Sequence, residues 1–149
     1  MLYPTNGTHL YIADAPAEDA GAFPSAGWVE IGETEALGLL GVEWDMASST
    51  KTTCEGAVEV IHAKQAFNKP PMELVFGADP TDPGQMVLWR ALNRIEAYPF
   101  RLVFPDGVTT RLWFALVVTV AEVFDSANSV IRMQATLQPI GSIQRSEAV

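Results

Sequence analysis

Pro99-Phe100-Arg101-Leu102-Val103-Phe104-Pro105-Asp106-Gly107-Val108-Thr109-Thr110-Arg111-Leu112-Trp113-Phe114 decides the class of the fold. Two runs rich in aromatic and β-branched residues flank Pro-Asp-Gly, a tripeptide suited to a tight turn, so the stretch reads as a β-hairpin. The run 115–124 is almost wholly apolar and continues the second strand. A chain organised around such a hairpin is expected to be mainly antiparallel β.

On the N-terminal side of this hairpin lies the one segment with a helical period. Asp82-Pro83-Gly84-Gln85 places a capping carboxylate before a proline at the first helical position, and Gln three residues on can close a capping box. Leu88, Trp89, Leu92 and Ile95 then recur on one face while Arg90, Asn93 and Arg94 turn elsewhere. The spacing predicts a helix over about 82–96 that packs on a sheet.

Further upstream, Ala57-Val58-Glu59-Val60-Ile61-His62-Ala63-Lys64 and Met72-Glu73-Leu74-Val75-Phe76 read as strands, separated by Asn68-Lys69-Pro70-Pro71, which breaks any ladder. Gly27-Trp28-Val29-Glu30-Ile31-Gly32-Glu33 alternates, and Gly38-Leu39-Leu40-Gly41-Val42-Glu43-Trp44 follows a short break, so the two are expected to form a hairpin. Residues 45–53 are polar, rich in Ser and Thr and without a hydrophobic period, and read as an exposed loop. The first 26 residues, rich in Ala, Pro, Gly and Asp, read as an arm with one short strand at 9–13.

Downstream, the turn Asp125-Ser126-Ala127-Asn128 leads into the alternating Val130-Ile131-Arg132-Met133-Gln134-Ala135-Thr136-Leu137, which Pro139-Ile140-Gly141 is expected to end before a polar tail over 144–149. Seven or eight strands and one helix predict a β-sandwich or barrel flanked by that helix. At 149 residues and 48% hydrophobic, the chain is expected to form a single domain over 1–149.

Composition bounds the function. Eighteen acidic residues against nine Lys and Arg give a net charge of −9, and residues 1–50 hold eight acids and no base. Such a surface repels phosphate, because affinity for nucleic acid comes from Lys and Arg that replace counterions. The apolar runs fall short of the roughly 20 residues that a membrane-spanning helix needs, and no signal segment opens the chain, so the protein is expected to stay in the cytoplasm. One cysteine, Cys54, excludes an intrachain disulfide.

Sites for chemistry are not found. The glycines at 38 and 41 lack the following helix and the Lys-Ser or Lys-Thr pair of a phosphate loop. His62 has no metal-ligating neighbours at ligand spacing and reads as a packed or rim histidine; His9, in the arm, is uninformative. Glu55 beside Cys54 would raise a thiol pKa, the wrong direction for a nucleophile. Glu30, Glu33, Glu35, Glu43 and Asp45 read as a solvated acidic face in preference to a paired acid and base. No catalytic residue, cofactor site or metal site is expected. Trp28, Trp89 and Trp113 read as core or interface; Trp44, at the entrance to the polar segment, fits core burial and a contact with a neighbouring subunit equally.

Taken in order, Trp28-Val29-Glu30-Ile31-Gly32-Glu33, the segments 79–92, 101–107 and 129–143, and the closing Gly141-Ser142-Ile143 resemble the tail tube proteins of long-tailed, siphovirus-type bacteriophages. They are also similar to tube proteins of contractile injection systems. The resemblance covers about residues 27–143 through short, degenerate motifs whose weight lies in their order. It implies a β-sandwich with a flanking helix, assembled as hexameric rings whose inner strands join into one barrel, the rings stacking into a tube through which genome DNA passes unbound. Its implied setting is the virion tail, after assembly in the host cytoplasm, with tape-measure, tail-terminator and baseplate proteins as partners and no membrane.

In that setting an acidic lumen would let DNA slide, and Glu30, Glu33, Glu59 and Glu73, whose strand neighbours are apolar, are the expected lumen-facing acids. The segment 44–56, with Trp44, Asp45, Met46, Lys51 and Cys54, is the expected contact with the adjacent ring; the arm and tail are expected at subunit contacts. The chain departs from the family in this segment, where Glu43-Trp44-Asp45-Met46 replaces an Asp-Val-Thr type of motif, and no appended immunoglobulin-like domain is expected. Two rival readings are a ring protein of the same fold that completes a tail or serves a contractile system, and a small β-barrel enzyme or ligand-binding module, which would need a concave site with convergent polar groups.

Overall fold

The computed structural model describes residues 2–16 and 23–146. Among them nine strands and one helix follow in the order β1 (His9–Ala13), β2 (Trp28–Ile31), β3 (Thr34–Ala36), β4 (Glu43–Thr52), β5 (Val58–Asn68), β6 (Met72–Gly77), α1 (Pro83–Leu92), β7 (Tyr98–Val103), β8 (Thr110–Val123) and β9 (Arg132–Ser146). Seven strands form one antiparallel sheet in the order β2-β1-β7-β8-β9-β6-β3, and β4 and β5 form a separate two-stranded sheet. The mainly β class with one flanking helix is therefore as expected.

The sheet is not open. β2 and β3 lie at its opposite edges, yet only Gly32 and Glu33 separate them in sequence. Three Cα–Cα steps reach at most about 11 Å, so the sheet must curl until its two edges meet at this corner. Glu33 takes a left-handed conformation there (φ 60°), and its carbonyl accepts from the Gly77 N–H at 2.8 Å. A strand that bends from one layer to the other makes the corner of a sandwich or barrel.

Inside the curl, alternate residues of every strand of the sheet but the short β3 converge on a core that includes Leu10, Ile12, Ile31, Leu74, Phe76, Phe100, Trp113, Ala135 and Leu137, all at most 2% exposed. In β6 and the first half of β9 the residues between them are exposed or half-buried, the period of 2 that marked these segments in sequence, whereas in β7 and β8 Pro99 and Phe114 are buried as well. α1 packs on β8, β2 and β1 and contributes Val87, Leu88 and Ala91.

Asp82 is the N-cap of α1 and accepts from the Gln85 N–H at 3.1 Å, with Pro83 at the first helical position. Only half of the expected capping box forms, because the Gln85 side chain is used elsewhere. It is 2% exposed, accepts from the Asp79 N–H at 2.9 Å, and donates to the Gly77 carbonyl at 2.8 Å and the Gly32 carbonyl at 3.4 Å. Gly84 stands where the helix meets β2; a Cβ there would lie 2.2 Å from the Glu30 carbonyl oxygen, so only glycine fits. The helix ends at Leu92, four residues earlier than expected, because Asn93 caps it and donates back to the Trp89 carbonyl. Ile95 is consequently 93% exposed and lies outside the packing stripe.

Four further expectations are corrected. The hairpin between 27–33 and 38–44 does not exist: β2 pairs with β1, β3 pairs with β6, and the chain from 37 to 42 is not a strand. Alternation identifies a strand with two unlike faces and is silent on its partner. The short strand of the expected arm, β1, lies inside the sheet between β2 and β7. β9 does not stop at Pro139, which pairs with Ala115, but runs to Ser146, because a register shift opposite Leu112 and Phe114 lets the ladder pass Gly141 (φ 69°). Residues 45–53 are not a loop: all but the last belong to β4. Parts of the expected arm (1 and 17–22) and tail (147–149) lie outside the described residues.

Candidate functional site

β4 and β5 form a ribbon of 10 and 11 residues. Its turn is closed by a Thr53 N–H to Ala57 carbonyl bond of 2.8 Å, a Gly56 N–H to Thr53 carbonyl bond of 3.0 Å and an Ala57 N–H to Thr53 Oγ1 bond of 3.2 Å. Of the described ribbon side chains only Ala47 is even partly covered, and the residues packed against the core come from elsewhere.

Pairing in register, Met46 with Lys64, Ser48 with His62, Thr50 with Val60 and Thr52 with Val58, gives the ribbon two unlike faces. The face with Met46 also holds Trp44, whose ring lies 5.2 Å from Lys64 Nζ, and exposes Val58 and Val60. The other face carries Asp45, which accepts from Asn68 Nδ2 at 2.8 Å, and Ala47, Ser49 and Lys51 opposite Ala63, Ile61 and Glu59. All five residues expected to contact a neighbouring subunit, Trp44, Asp45, Met46, Lys51 and Cys54, are thus brought together on this one projection, Cys54 in its exposed turn. His62 is exposed on the ribbon.

The four acids expected in the lumen are all exposed but do not form one cluster. Glu30, on β2 opposite Tyr11, binds His9 Nδ1 at 2.5 Å, and Glu33 sits at the β2–β3 corner. Glu73 stands on the outer face of β6 opposite Thr136, and Glu59 stands on the ribbon opposite Lys51.

Sequence reasoning missed two arginine arrangements that exist only through strand pairing. Arg101 on β7 lies between the rings of Tyr11 and Trp28, 4.4 and 5.1 Å from their centroids. Arg111 on β8 directly faces Arg145 on β9. Near them, the turn that follows β7 is held by Asp106, whose carboxylate accepts from the Thr109 hydroxyl at 2.6 Å and from the Val108 and Thr109 N–H groups at 2.9 Å. These bonds, the Thr109 hydroxyl first, hold its pKa below the ordinary carboxylate value.

Among the described residues no group of three or more His, Cys, Asp or Glu is placed to hold a metal ion, and no helix is long and apolar enough to cross a membrane. What the site offers is a projecting, two-faced strand pair on a curled sheet with one helix. Superposed on solved structures, this arrangement matches a chain of the SPP1 tail tube with a TM-score of 0.67 over 99% of this chain and 81% of that one, at 12% sequence identity.

This is the tail tube fold. It matches equally a chain from the sheath/tube terminator of PVC, an extracellular contractile injection system, with a TM-score of 0.66, 13% identity and coverage of 97% and 96%. A chain from the tail of an empty gene transfer agent particle gives a TM-score of 0.66 at 12% identity, over 97% of this chain and 98% of that one. No family model and no curated protein sequence matches the chain.

Proposed function

We propose that this chain is the structural subunit of a tail tube, forming hexameric rings that stack into a hollow conduit for genome DNA. The observation that carries the reading is the separate, exposed two-stranded ribbon on a tail tube fold. A two-stranded ribbon is at best marginally stable in water, and this one exposes Trp44, Met46, Val58, Val60 and Ile61 at 42–69%. Surface of that kind is covered in the working state, and stacked copies of the same chain supply the cover. Trp44, Asp45, Met46, Lys51 and Cys54 then serve the contact between subunits.

The role is structural, without catalysis or cofactor, and the whole chain acts as one domain. Its partners are further copies of itself, then the tape-measure, terminator and baseplate proteins of a virion tail assembled in the host cytoplasm. The excess of acids, Glu30, Glu33, Glu59 and Glu73 among them, keeps DNA moving by repelling phosphate.

Negative-stain electron microscopy with sedimentation velocity over a range of concentrations tests this. Hollow tubes or six-fold rings are expected, and a strict monomer at every concentration would overturn the reading. The likeness to a tube terminator favours a second reading, in which the chain closes a tail as a single ring. Rings that never stack would select it over the tube.

A further inference from the structure

A cleft of about 310 Å³ opens beside the far ends of β8 and β9. Tyr3, Leu37, Leu40, Leu102, Phe104 and Ile143 give it apolar walls, and Arg111 and Arg145 give it two positive charges. These two arginines are direct partners across the β8–β9 ladder, an arrangement that destabilises an antiparallel pair. No acid among the described residues lines the cleft. The described ion pairs are His9–Glu30, Arg90–Asp14 and Arg132–Glu35, so neither cleft arginine is neutralised by an acid among the described residues. Arg111 lies 4.8 Å from the Phe104 ring centroid and donates to the Thr110 carbonyl at 2.9 Å, which fixes its position without cancelling its charge. An apolar slot with two cations that no described acid pairs, one of them held in place, is built for a segment that is apolar and acidic.

The same chain exposes such a segment. At about 3.3 Å per residue, ten-residue strands carry the ribbon tip roughly 30 Å outwards. The tip holds Glu55 in its turn and Glu59 opposite Lys51, with Val58 and Val60 at 69% and 54% exposed. We propose that the ribbon tip of a second copy, residues 54–60, docks in this cleft, Glu55 on Arg111 and Arg145 and Val58 and Val60 on the apolar walls. Each copy gives one tip and receives another, so the contact is heterologous and propagates into a ring or an open stack. The inference rests on the subunit reading above and adds to it the receiving surface.

Cys54, the only cysteine in the chain, lies at the tip and provides the probe. Thr5 is exposed and lines the cleft, so Thr5→Cys places a second thiol at the receiving site. Mild oxidation of assembled T5C should give a ladder of dimers, trimers and higher species on a non-reducing gel. The T5C/C54S protein should give no ladder, and adding R111E/R145E to T5C should remove at least nine-tenths of it. Rings or tubes in the microscope with no species beyond dimer would overturn the docking contact and leave the subunit reading intact. A protein that stays monomeric at every concentration would overturn both.

Discussion

Gln85 ties the helix entry to the end of β6, the segment that follows it and the β2–β3 corner, 53 residues away in sequence. Its truncation leaves the half-buried Asp79 N–H and Gly77 carbonyl without this partner, which costs about 1–3 kcal/mol per orphaned group. Gln85→Ala is expected to destabilise the protein by roughly 2–4 kcal/mol in urea melts. The residue was legible in sequence as a helix-entry glutamine, but its use was not, because its partners lie in other strands. Asp106 makes a prediction of the opposite kind, since its bonds are local and the turn was read from Pro-Asp-Gly alone. Its folded pKa is lowered, so the stability it contributes is present above the unfolded value of about 3.9 and is lost as pH falls through the lower folded value. The difference in melting temperature between wild type and Asp106→Ala should therefore be constant near neutral pH and shrink below about pH 4.

At the scale of elements, β7, β8 and α1 were legible because each has a buried face that imposes a period. The ribbon was half legible. β5 carries Val58, Val60 and Ile61, which marked it as a strand, whereas β4 has both faces exposed and so lost the alternation that reveals one. Its Ser and Thr residues read as loop for that reason. Since Met46, Val58 and Val60 are 54–69% exposed, replacing the three together by serine should change monomer stability by no more than about 0.5 kcal/mol per site. The same triple variant should lose assembly into rings or tubes. Thermal melting and negative-stain microscopy of one preparation read the two effects separately, and a large loss of melting temperature would contradict the independence of the ribbon.

For the whole molecule, the acidic balance was plain in composition, while the placement of the acids was not. Glu59 and Glu73 lie on the ribbon and on the outer face of β6, and Glu30 and Glu33 lie at and beside the β2–β3 corner. Assembled wild-type particles should leave duplex DNA unbound at physiological salt. Particles of E59K/E73K, in which the net charge moves from −9 towards −5 by two charge reversals, should retain DNA in a filter assay, with retention that falls as salt rises. Retention by wild type equal to that of the variant would remove charge repulsion from the account.

The sequence by itself determined the secondary structure wherever one face is buried, the helix start at Asp82, the turn at Asp106 and the sign of the charge. These depend on neighbours within a few residues or on simple sums. Tertiary structure alone decided that β2 leaves β1 and turns the corner to β3, that β9 runs on past Pro139, and that Arg111 meets Arg145 beside an apolar cleft. Each of these is a pairing between strands far apart in the chain, and a period of 2 specifies the face of a strand without specifying its partner or its register.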